Sequence, residues 1–339
     1  MAPRSDGVRL AEAWRALAGD AGSSGWRIVH LVRLGEVAVL AGRQKPDDRE
    51  ALLIGFHQAR LPAPSQLPAS RGFAVEAIRH PTLPNLLLLA LTRQQGARSD
   101  LFEAMAQDLI GLLADALHDD EQAVADAVLA RIRAWQDFMS YQRAGILSED
   151  EEIGLHGELV VLEQLLAALP DSAAVVDMWQ GPLRGLHDFM LPVGALEAKA
   201  TTSAIGFRAT IGSLEQLDLA IRSPIYLAAV RLAGSDAGST LPHRVAQLRA
   251  RLAACSGHAG QSFSARLLRA GYIDAFADRY TRRLTLSDLR WIEVGSDFPL
   301  LTAASVPRGV VSARYVIDLD MRALPTTSLT TILEAAGLK

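Results

Sequence analysis

Two acidic residues and a lysine lie close together in the middle of the chain, in the stretch LHDFMLPVGALEAKATT at residues 186–202. Apolar runs on either side of a proline and a glycine predict a β-hairpin with its turn at residues 192–194. Side chains alternate between the two faces of a strand, so Glu197 and Lys199 point the same way. Asp188 lies on the first strand, where it is opposite or diagonal to Glu197. The spacing therefore predicts two carboxylates and an ammonium group in one small patch.

This grouping suits the chemistry of phosphate esters. Mg²⁺ prefers oxygen ligands and is usually held by one or two carboxylates together with water and substrate phosphate. A bound metal ion stabilises charge on a phosphate and lowers the pKa of a bound water. A lysine beside the carboxylates can position that water and offset the developing negative charge.

A third carboxylate interrupts the apolar stripe of a helix upstream of the hairpin. Glu158 lies in GLHGELVVLEQLL, and its helical neighbours Leu155, Val161 and Leu162 are apolar. Burial of an unpaired carboxylate is costly, so Glu158 should face a partner, a cleft or a metal ion. Gly154 and Gly157 each cost the helix roughly 1 kcal/mol relative to alanine. Close packing of the helix on the sheet would explain both glycines.

The choice of lysine at position 199 is itself unusual in this chain. The sequence has 34 basic residues, and only Lys45, Lys199 and Lys339 among them are lysines. Arginine is therefore the default base, and a lysine between two alanines indicates a specific requirement.

The elements that must position these residues can be outlined from periodicity. Residues 1–95 predict a small β-rich N-terminal domain, residues 96–145 a helical connector, and residues 146–339 an α/β (α+β) domain. A helix begins at Ser148 with a capping box to Glu151 and ends before Pro170. The sequence further predicts strands near 186–191, 194–201, 206–211, 225–232, 290–294 and 312–319. It predicts helices near 213–221, 242–254 and 263–270 and from about 327, and a surface loop at 233–240.

The order Glu158, Asp188, Glu197-Ala-Lys199 on a helix–strand–strand frame resembles the PD-(D/E)XK nuclease superfamily. His187 stands where the motif usually has proline. Residues 201–203 and 213–217, together with 298–300, 306–310 and 312–319, are similar to a narrower group. These are bacterial restriction-endonuclease-like proteins with the PD-(D/E)XK motif, encoded in phage-defence clusters beside a DNA methyltransferase. The resemblance covers residues 25–325 in outline, and its motifs are specific around 154–217.

The resemblance implies a restriction-endonuclease-like core, in which a mixed sheet is flanked by helices, with a C-terminal α/β extension. It implies that Asp188 and Glu197 bind Mg²⁺, with Mn²⁺ as a substitute, and that Glu158 completes the metal shell. Lys199 would then act on the attacking water. Gln216, from the helix expected at 213–221, would orient water or phosphate, although a surface role for Gln216 is also open.

Composition, hydropathy and charge indicate the cellular compartment and the kind of partner that such a site would have. The single cysteine, Cys255, allows no intramolecular disulfide and fits a reducing cytoplasm. The longest run of large apolar residues, 86–91, is far below the ~20 residues that span a bilayer, so we expect no membrane association. Residues 1–180 carry a net charge of −9 and residues 181–339 one of +5, so any basic surface for DNA lies in the second half. Arginines on the helices near 242–254 and 263–270 could hold phosphates or could simply be solvated.

Three functions remain open from the sequence alone. The leading hypothesis is a metal-dependent DNA endonuclease in restriction or phage defence, working as a homodimer, since symmetric dimers cut both strands. The second is a catalytically silent subunit that binds DNA or other proteins of a defence cluster. The third is an exonuclease, or a nuclease that acts on RNA or branched DNA. His156 and His187, beside the site residues, could contact DNA or be structural.

Overall fold

The computed structural model describes residues 5–19, 24–116, 120–140, 146–255, 257–295, 297–320 and 324–339. The chain divides into two compact units. The first comprises Met1–Gly145 with Ile273–Ala275, and the second Ile146–Tyr272 with Phe276–Lys339. In these described ranges, no helix combines the length and the apolar character that crossing a membrane requires.

The first unit is built on an antiparallel sheet, as the alternating runs between residues 26 and 92 predict. Its strands are β1 (Gly25–Leu34), β2 (Val37–Lys45), β3 (Arg49–Phe56), β4 (Phe73–His80) and β5 (Leu83–Arg93), in the order β1-β2-β3-β5-β4. The helices of this unit are α1 (Ser5–Ala16), α2 (Ser99–Asp115) and α3 (Glu121–Ser140). The indole of Trp14 on α1 donates a hydrogen bond of 2.8 Å to Ala51 O on β3, which fixes α1 to the sheet.

The second unit has the expected five-stranded mixed sheet flanked by helices. The strands are β6 (Phe189–Met190), β7 (Ala195–Thr201), β9 (Ile225–Ser239), β10 (Leu284–Glu293) and β12 (Thr326–Thr327), in the order β12-β10-β9-β7-β6. Only β7 and β9 run parallel, and the other neighbours are antiparallel. The helices are α4 (Glu149–Ala168), α5 (Ser172–Met178), α6 (Leu241–Cys255), α7 (Gly257–Ala270) and α8 (Leu329–Ala335).

The first part of the central strand β9, residues 225–232, is buried on both faces, which explains its nearly continuous apolar sequence. Tyr226, Ala228 and Val230 pack in the cluster that includes the apolar stripe of α4. Leu227 and Ala229 pack on the other face against a two-stranded ribbon of β8 (Arg208–Ile211) and β11 (Tyr315–Asp318). Strand β7 lies beside β9, so one face of β7 looks towards α4 and the other towards this ribbon.

Helix α4 begins where the sequence predicts. The Ser148 hydroxyl accepts from Glu151 N at 3.3 Å, and the Glu151 carboxylate accepts from Ser148 N at 2.9 Å. This reciprocal capping box satisfies two backbone donors that the first turn of a helix otherwise leaves unpaired. The helix ends at Ala168, ahead of Pro170.

Two sequence predictions in the second unit are wrong. Residues 213–221 form turns and not a helix, with hydrogen bonds from Asp218 N to Glu215 O and from Ile221 N to Asp218 O. The helix-like spacing of Leu214 and Leu217 arises because both side chains are buried from a short irregular segment. The expected loop at 233–240 falls largely within β9, because β9 continues to pair with β10 as far as Gly234 opposite Leu284.

The packing of α4 on β7 explains one of the two helical glycines. A Cβ atom built on Gly157 would lie 2.5 Å from the Cβ atom of Ala200, which is closer than two non-bonded carbon atoms can approach. A Cβ atom built on Gly154 would meet nothing within 4 Å. Close approach therefore requires glycine at position 157, whereas nothing in the structure explains Gly154.

We expect opposite effects from the same substitution at these two positions. Gly154→Ala should raise the free energy of unfolding by about 1 kcal/mol, because alanine favours the helix and fills open space. Gly157→Ala should lower it by about 1–3 kcal/mol, because the added methyl group must separate α4 from β7. Urea denaturation of both variants measures the difference, and equal stabilisation by the two would contradict the packing described above.

Candidate functional site

The β6–β7 hairpin brings Asp188 and Glu197 together. Phe189 pairs with Leu196 and Met190 with Ala195, and this register places Asp188 opposite Glu197. Asp188 N donates to Glu197 Oε2 at 3.3 Å, and Ala198 N donates to Asp188 Oδ2 at 2.9 Å. The two carboxylates are thus held side by side by backbone amides of the hairpin itself.

Glu197 is the centre of the hydrogen-bond network. Its side chain is 2% exposed, and its Oε1 atom accepts from Lys199 Nζ at 2.7 Å and from Gln216 Nε2 at 2.6 Å. Gln216 Oε1 accepts in turn from Gly212 N at 2.7 Å, which fixes the orientation of the amide. Gln216 therefore reaches the site from a turn and not from the helix that the sequence predicts.

Glu158 reaches the same place from α4. Its Oε2 atom accepts a hydrogen bond of 2.6 Å from the indole nitrogen of Trp179. A Cβ atom built on Gly181 would lie 2.7 Å from Glu158 Oε2 and 2.9 Å from Asp188 Oδ1. The carboxylates of Glu158 and Asp188 thus converge on one side of Gly181. The structure therefore brings together all five residues that the sequence singles out: Glu158, Asp188, Glu197, Lys199 and Gln216.

Trp179 and Gly181 are site residues that the sequence analysis missed. Trp179 is fully buried and stacks beside Phe263 of α7, while Arg266 donates to its backbone carbonyl at 2.9 Å. Gln180 N and Gly181 N both donate to Asp188 O, at 2.7 and 3.0 Å. A buried indole N–H needs an acceptor, so a tryptophan shortly before Asp188 was a signal of a buried polar partner.

Burial and mutual repulsion raise the pKa values of two carboxyl groups in the site. The pKa of Glu158 is raised to about 7, mainly by burial and further by Glu197, against the lowering effects of Trp179 and Lys199. The pKa of Asp188 is raised well above its usual value by burial and by the charges of Glu197 and Glu158. Burial lowers the pKa of Lys199, but Glu197 and Asp188 outweigh burial and raise it overall, so Lys199 stays protonated.

The charge of the cluster is suited to a divalent cation. Three carboxylates face one ammonium group, which leaves a formal charge of −2 when all are ionised, and a divalent cation would neutralise it. Asp188 Oδ1 and Glu158 Oε2 already point to one place. Hard oxygen donors of this kind fit Mg²⁺ or Mn²⁺.

Among the residues that the structure describes, no three His, Cys, Asp or Glu side chains form a ready-made metal cluster. Several carboxylate oxygens of the site are already hydrogen-bonded: Glu197 Oε1 accepts from Lys199 and Gln216, Asp188 Oδ2 from Ala198 N, and Glu158 Oε2 from the Trp179 indole. Two carboxylates with water and substrate phosphate are the usual shell of Mg²⁺, so two converging oxygens are compatible with such a site.

The two histidines beside the site are buried, so neither offers a surface for DNA. His187 is 2% exposed, and its Nε2 atom lies 2.8 Å from Gln216 O, which ties the start of the hairpin to the Gln216 turn. His156 is fully buried, and neither ring nitrogen has a hydrogen-bond partner among the residues that the structure describes. Burial, together with Arg244 and Arg282, lowers the pKa of His156 to about 4, so this ring is neutral.

The frame and the residues it carries are those of the PD-(D/E)XK class: a helix with a glutamate, then a hairpin with an aspartate opposite the first residue of Glu-Ala-Lys. A family model described as "Putative PD-(D/E)XK family member (DUF4420)" matches residues 10–320. The chain belongs to this family. No curated protein and no solved structure matches it.

The raised pKa of Glu158 predicts a pH-dependent stability when divalent cations are removed. Folded protein holds the Glu158 proton up to a pKa of about 7, whereas the ordinary value is 4.5, so the stabilising contribution is present at low pH and is lost as pH rises through 7. Glu158→Gln keeps a neutral side chain at every pH. In EDTA at about pH 8, the free energy of unfolding of Glu158→Gln, measured by urea denaturation, should exceed that of wild type by about 1–2 kcal/mol. This difference in free energy should become smaller towards pH 5.

Glu334→Gln provides the control, because Glu334 is an exposed glutamate of the same unit. Its stability difference from wild type should not change over the same pH range. If Glu158→Gln were less stable than wild type in EDTA at pH 8, the charge repulsion inferred for the site would be contradicted.

Proposed function

We propose that the protein is a divalent-metal-dependent DNA endonuclease that hydrolyses phosphodiester bonds. The observation that carries this proposal is the half-buried cluster of three carboxylates and one ammonium group on a PD-(D/E)XK frame. Acidic side chains crowded together to this degree are costly in a protein that needs them only for structure. The family match over residues 10–320 supports a nuclease-like function.

Asp188, Glu197 and Glu158 would hold the cation, Mg²⁺ or Mn²⁺ in its place. When bound, that cation supplies Lewis-acid stabilisation of the charge that develops on the scissile phosphate. The remaining steps belong to the side chains of the chain itself.

Lys199 is the group that acts on the attacking water. Because its pKa is raised, the side chain is an ammonium ion and donates hydrogen bonds. It is anchored on Glu197 Oε1 at 2.7 Å and is 17% exposed, so it can also face substrate. Its charge stabilises the phosphate as negative charge increases, and its remaining protons orient water for attack.

Gln216 is a second orienting group. Its amide nitrogen is used by Glu197, and its amide oxygen by Gly212 N. Held from both ends, Gln216 keeps Glu197 Oε1 in a fixed position, and its side chain is half-exposed.

The wider setting is also part of the proposal. Similarity of residues 154–217 to restriction-endonuclease-like proteins of phage-defence clusters supports a role in restriction or defence, with other proteins of such a cluster as partners. The lone Cys255, exposed and unpaired, fits the cytoplasm. Cutting of both DNA strands by a symmetric enzyme favours a homodimer.

Lys199→Met tests the catalytic assignment, because methionine keeps much of the apolar stem and removes the ammonium group. Wild-type protein should nick or linearise supercoiled plasmid in Mg²⁺ or Mn²⁺ and not in EDTA. The variant should lose about 10²–10³-fold in rate, the usual cost of removing one charged donor from a transition state. Gel electrophoresis of plasmid over time measures the rate.

The matched control is Lys339→Met, at the exposed C-terminal lysine, which should cleave like wild type. Cleavage that persists in EDTA, or full activity of Lys199→Met, would contradict the proposed chemistry.

A further inference from the structure

A long exposed loop lies beside the candidate site. The hydroxyl group of Tyr315 accepts a hydrogen bond of 3.0 Å from Leu301 N, so the chain leaves and returns at the same point. The intervening residues 302–314, here called the 302–314 loop, are mostly exposed. A compact surface loop with closed ends is often a functional element.

The 302–314 loop is connected to the catalytic cluster by a short chain of contacts. Tyr315 pairs with Ile211 at the end of the β8–β11 ribbon. The next residue, Gly212, donates to Gln216, and Gln216 donates to Glu197. Through these contacts, both ends of the 302–314 loop lie within a few residues of Gln216, the residue that orients Glu197 in the candidate site.

The side chains of the loop are cationic and apolar. Its sequence TAASVPRGVVSAR has two arginines and no acidic residue. Arg308 and Arg314 are exposed, and neither has an ion pair or hydrogen bond from its side chain within the described part of the chain. Between them Val311 is 87% exposed and Val310 42%. In the Gln216 turn, the acidic residue next to Gln216 is Glu215, and its side chain is hydrogen-bonded to Ser213.

Other arginines of this unit are used differently. On α6, Arg244 pairs with Glu163 and Arg251 donates to Leu166 O. On α7, Arg266 pairs with Asp177. Arg231 and Arg290 both pair with Asp320. Arg244, Arg251 and Arg266, for which the sequence left phosphate contacts and simple solvation open, are thus bonded within the protein, whereas Arg308 and Arg314 are directed to solvent.

We propose that the 302–314 loop is the element that holds duplex DNA against the catalytic cluster. Arg308 and Arg314 contact backbone phosphates, and Val310 and Val311 lie against sugars and base edges in a groove. Charge complementarity favours DNA over another protein, because an arginine pair without acids attracts a polyanion. The proposal rests on the proposed function for its substrate, but binding can be measured separately from cleavage.

The experiment is fluorescence anisotropy with a labelled DNA duplex of about 25 base pairs, in EDTA so that no cleavage occurs. The double variant R308A/R314A should bind about tenfold more weakly than wild type. The slope of log affinity against log salt concentration should fall by about 1.8, since each lost phosphate contact removes about 0.9. Both residues are exposed, and their side chains form no hydrogen bond or ion pair with the described residues, so the double variant should fold as wild type does.

The matched control is R71A/R79A, which removes two exposed arginines from the first unit and makes the same change in net charge. It should leave affinity and salt slope close to wild type. If R308A/R314A behaves like this control, or if wild type binds no duplex at low salt, the proposal is overturned.

A second copy of the chain is the competing occupant of the loop. V311D should then abolish a dimer in sedimentation velocity while leaving DNA affinity unchanged, and that result would overturn the proposal.

Failure of the nuclease assignment gives a different pattern. In that case Lys199→Met has no effect on plasmid cleavage, while duplex binding still depends on Arg308 and Arg314.

Discussion

The approach of Gly157 to Ala200 determines how close α4 lies to β7, and the cluster of Glu158, Asp188 and Glu197 depends on that distance. Ala200 projects towards α4, and Lys199 beside it projects to the opposite face of the strand. Glu158 follows Gly157 directly on the helix. A helix displaced by even one methyl group would carry the Glu158 carboxylate away from Asp188. The smallest residue on the helix thus sets the position of the Glu158 carboxylate that follows it.

A second constraint acts through charge. Asp188 and Glu158 are brought together by main-chain geometry that does not respond to their ionisation, since the register of the hairpin and the start of α4 are fixed by backbone hydrogen bonds. The protein therefore carries repulsion in the site that Lys199 alone does not balance. Backbone amides and the indole of Trp179 reduce that repulsion without removing it. A divalent cation, if bound as proposed above, would offset this repulsion, and protons would compete with it for the same carboxylate oxygens.

The sequence predicted the parts of the site that depend on local rules. Alternation along strands and the position of the turn placed Asp188 opposite Glu197, and the capping box located the start of the helix that carries Glu158. The prediction failed where local pattern and tertiary pairing disagree. Leu214 and Leu217 have helical spacing in a segment that forms turns, and the polar end of β9 is a strand because β10 pairs with it. Gly181 and the pairing of residues 208–211 with 315–318 depend on the path of the whole chain, so no local rule reveals them. For Trp179 the one local signal is that a buried indole N–H needs an acceptor.

The hydrogen bond between Trp179 and Glu158 places a fluorescent side chain in direct contact with the site. The indole is fully buried against Phe263, so its emission is shielded from solvent, and the atom that it donates to is one of those that would bind a cation. A paramagnetic ion such as Mn²⁺ quenches a fluorophore at this range, whereas diamagnetic Mg²⁺ does not. Competition between the two ions could therefore be followed by tryptophan fluorescence in the unlabelled protein. Trp179, one of five tryptophans in the chain, would thus report occupancy of the site through the Glu158 oxygen to which it donates.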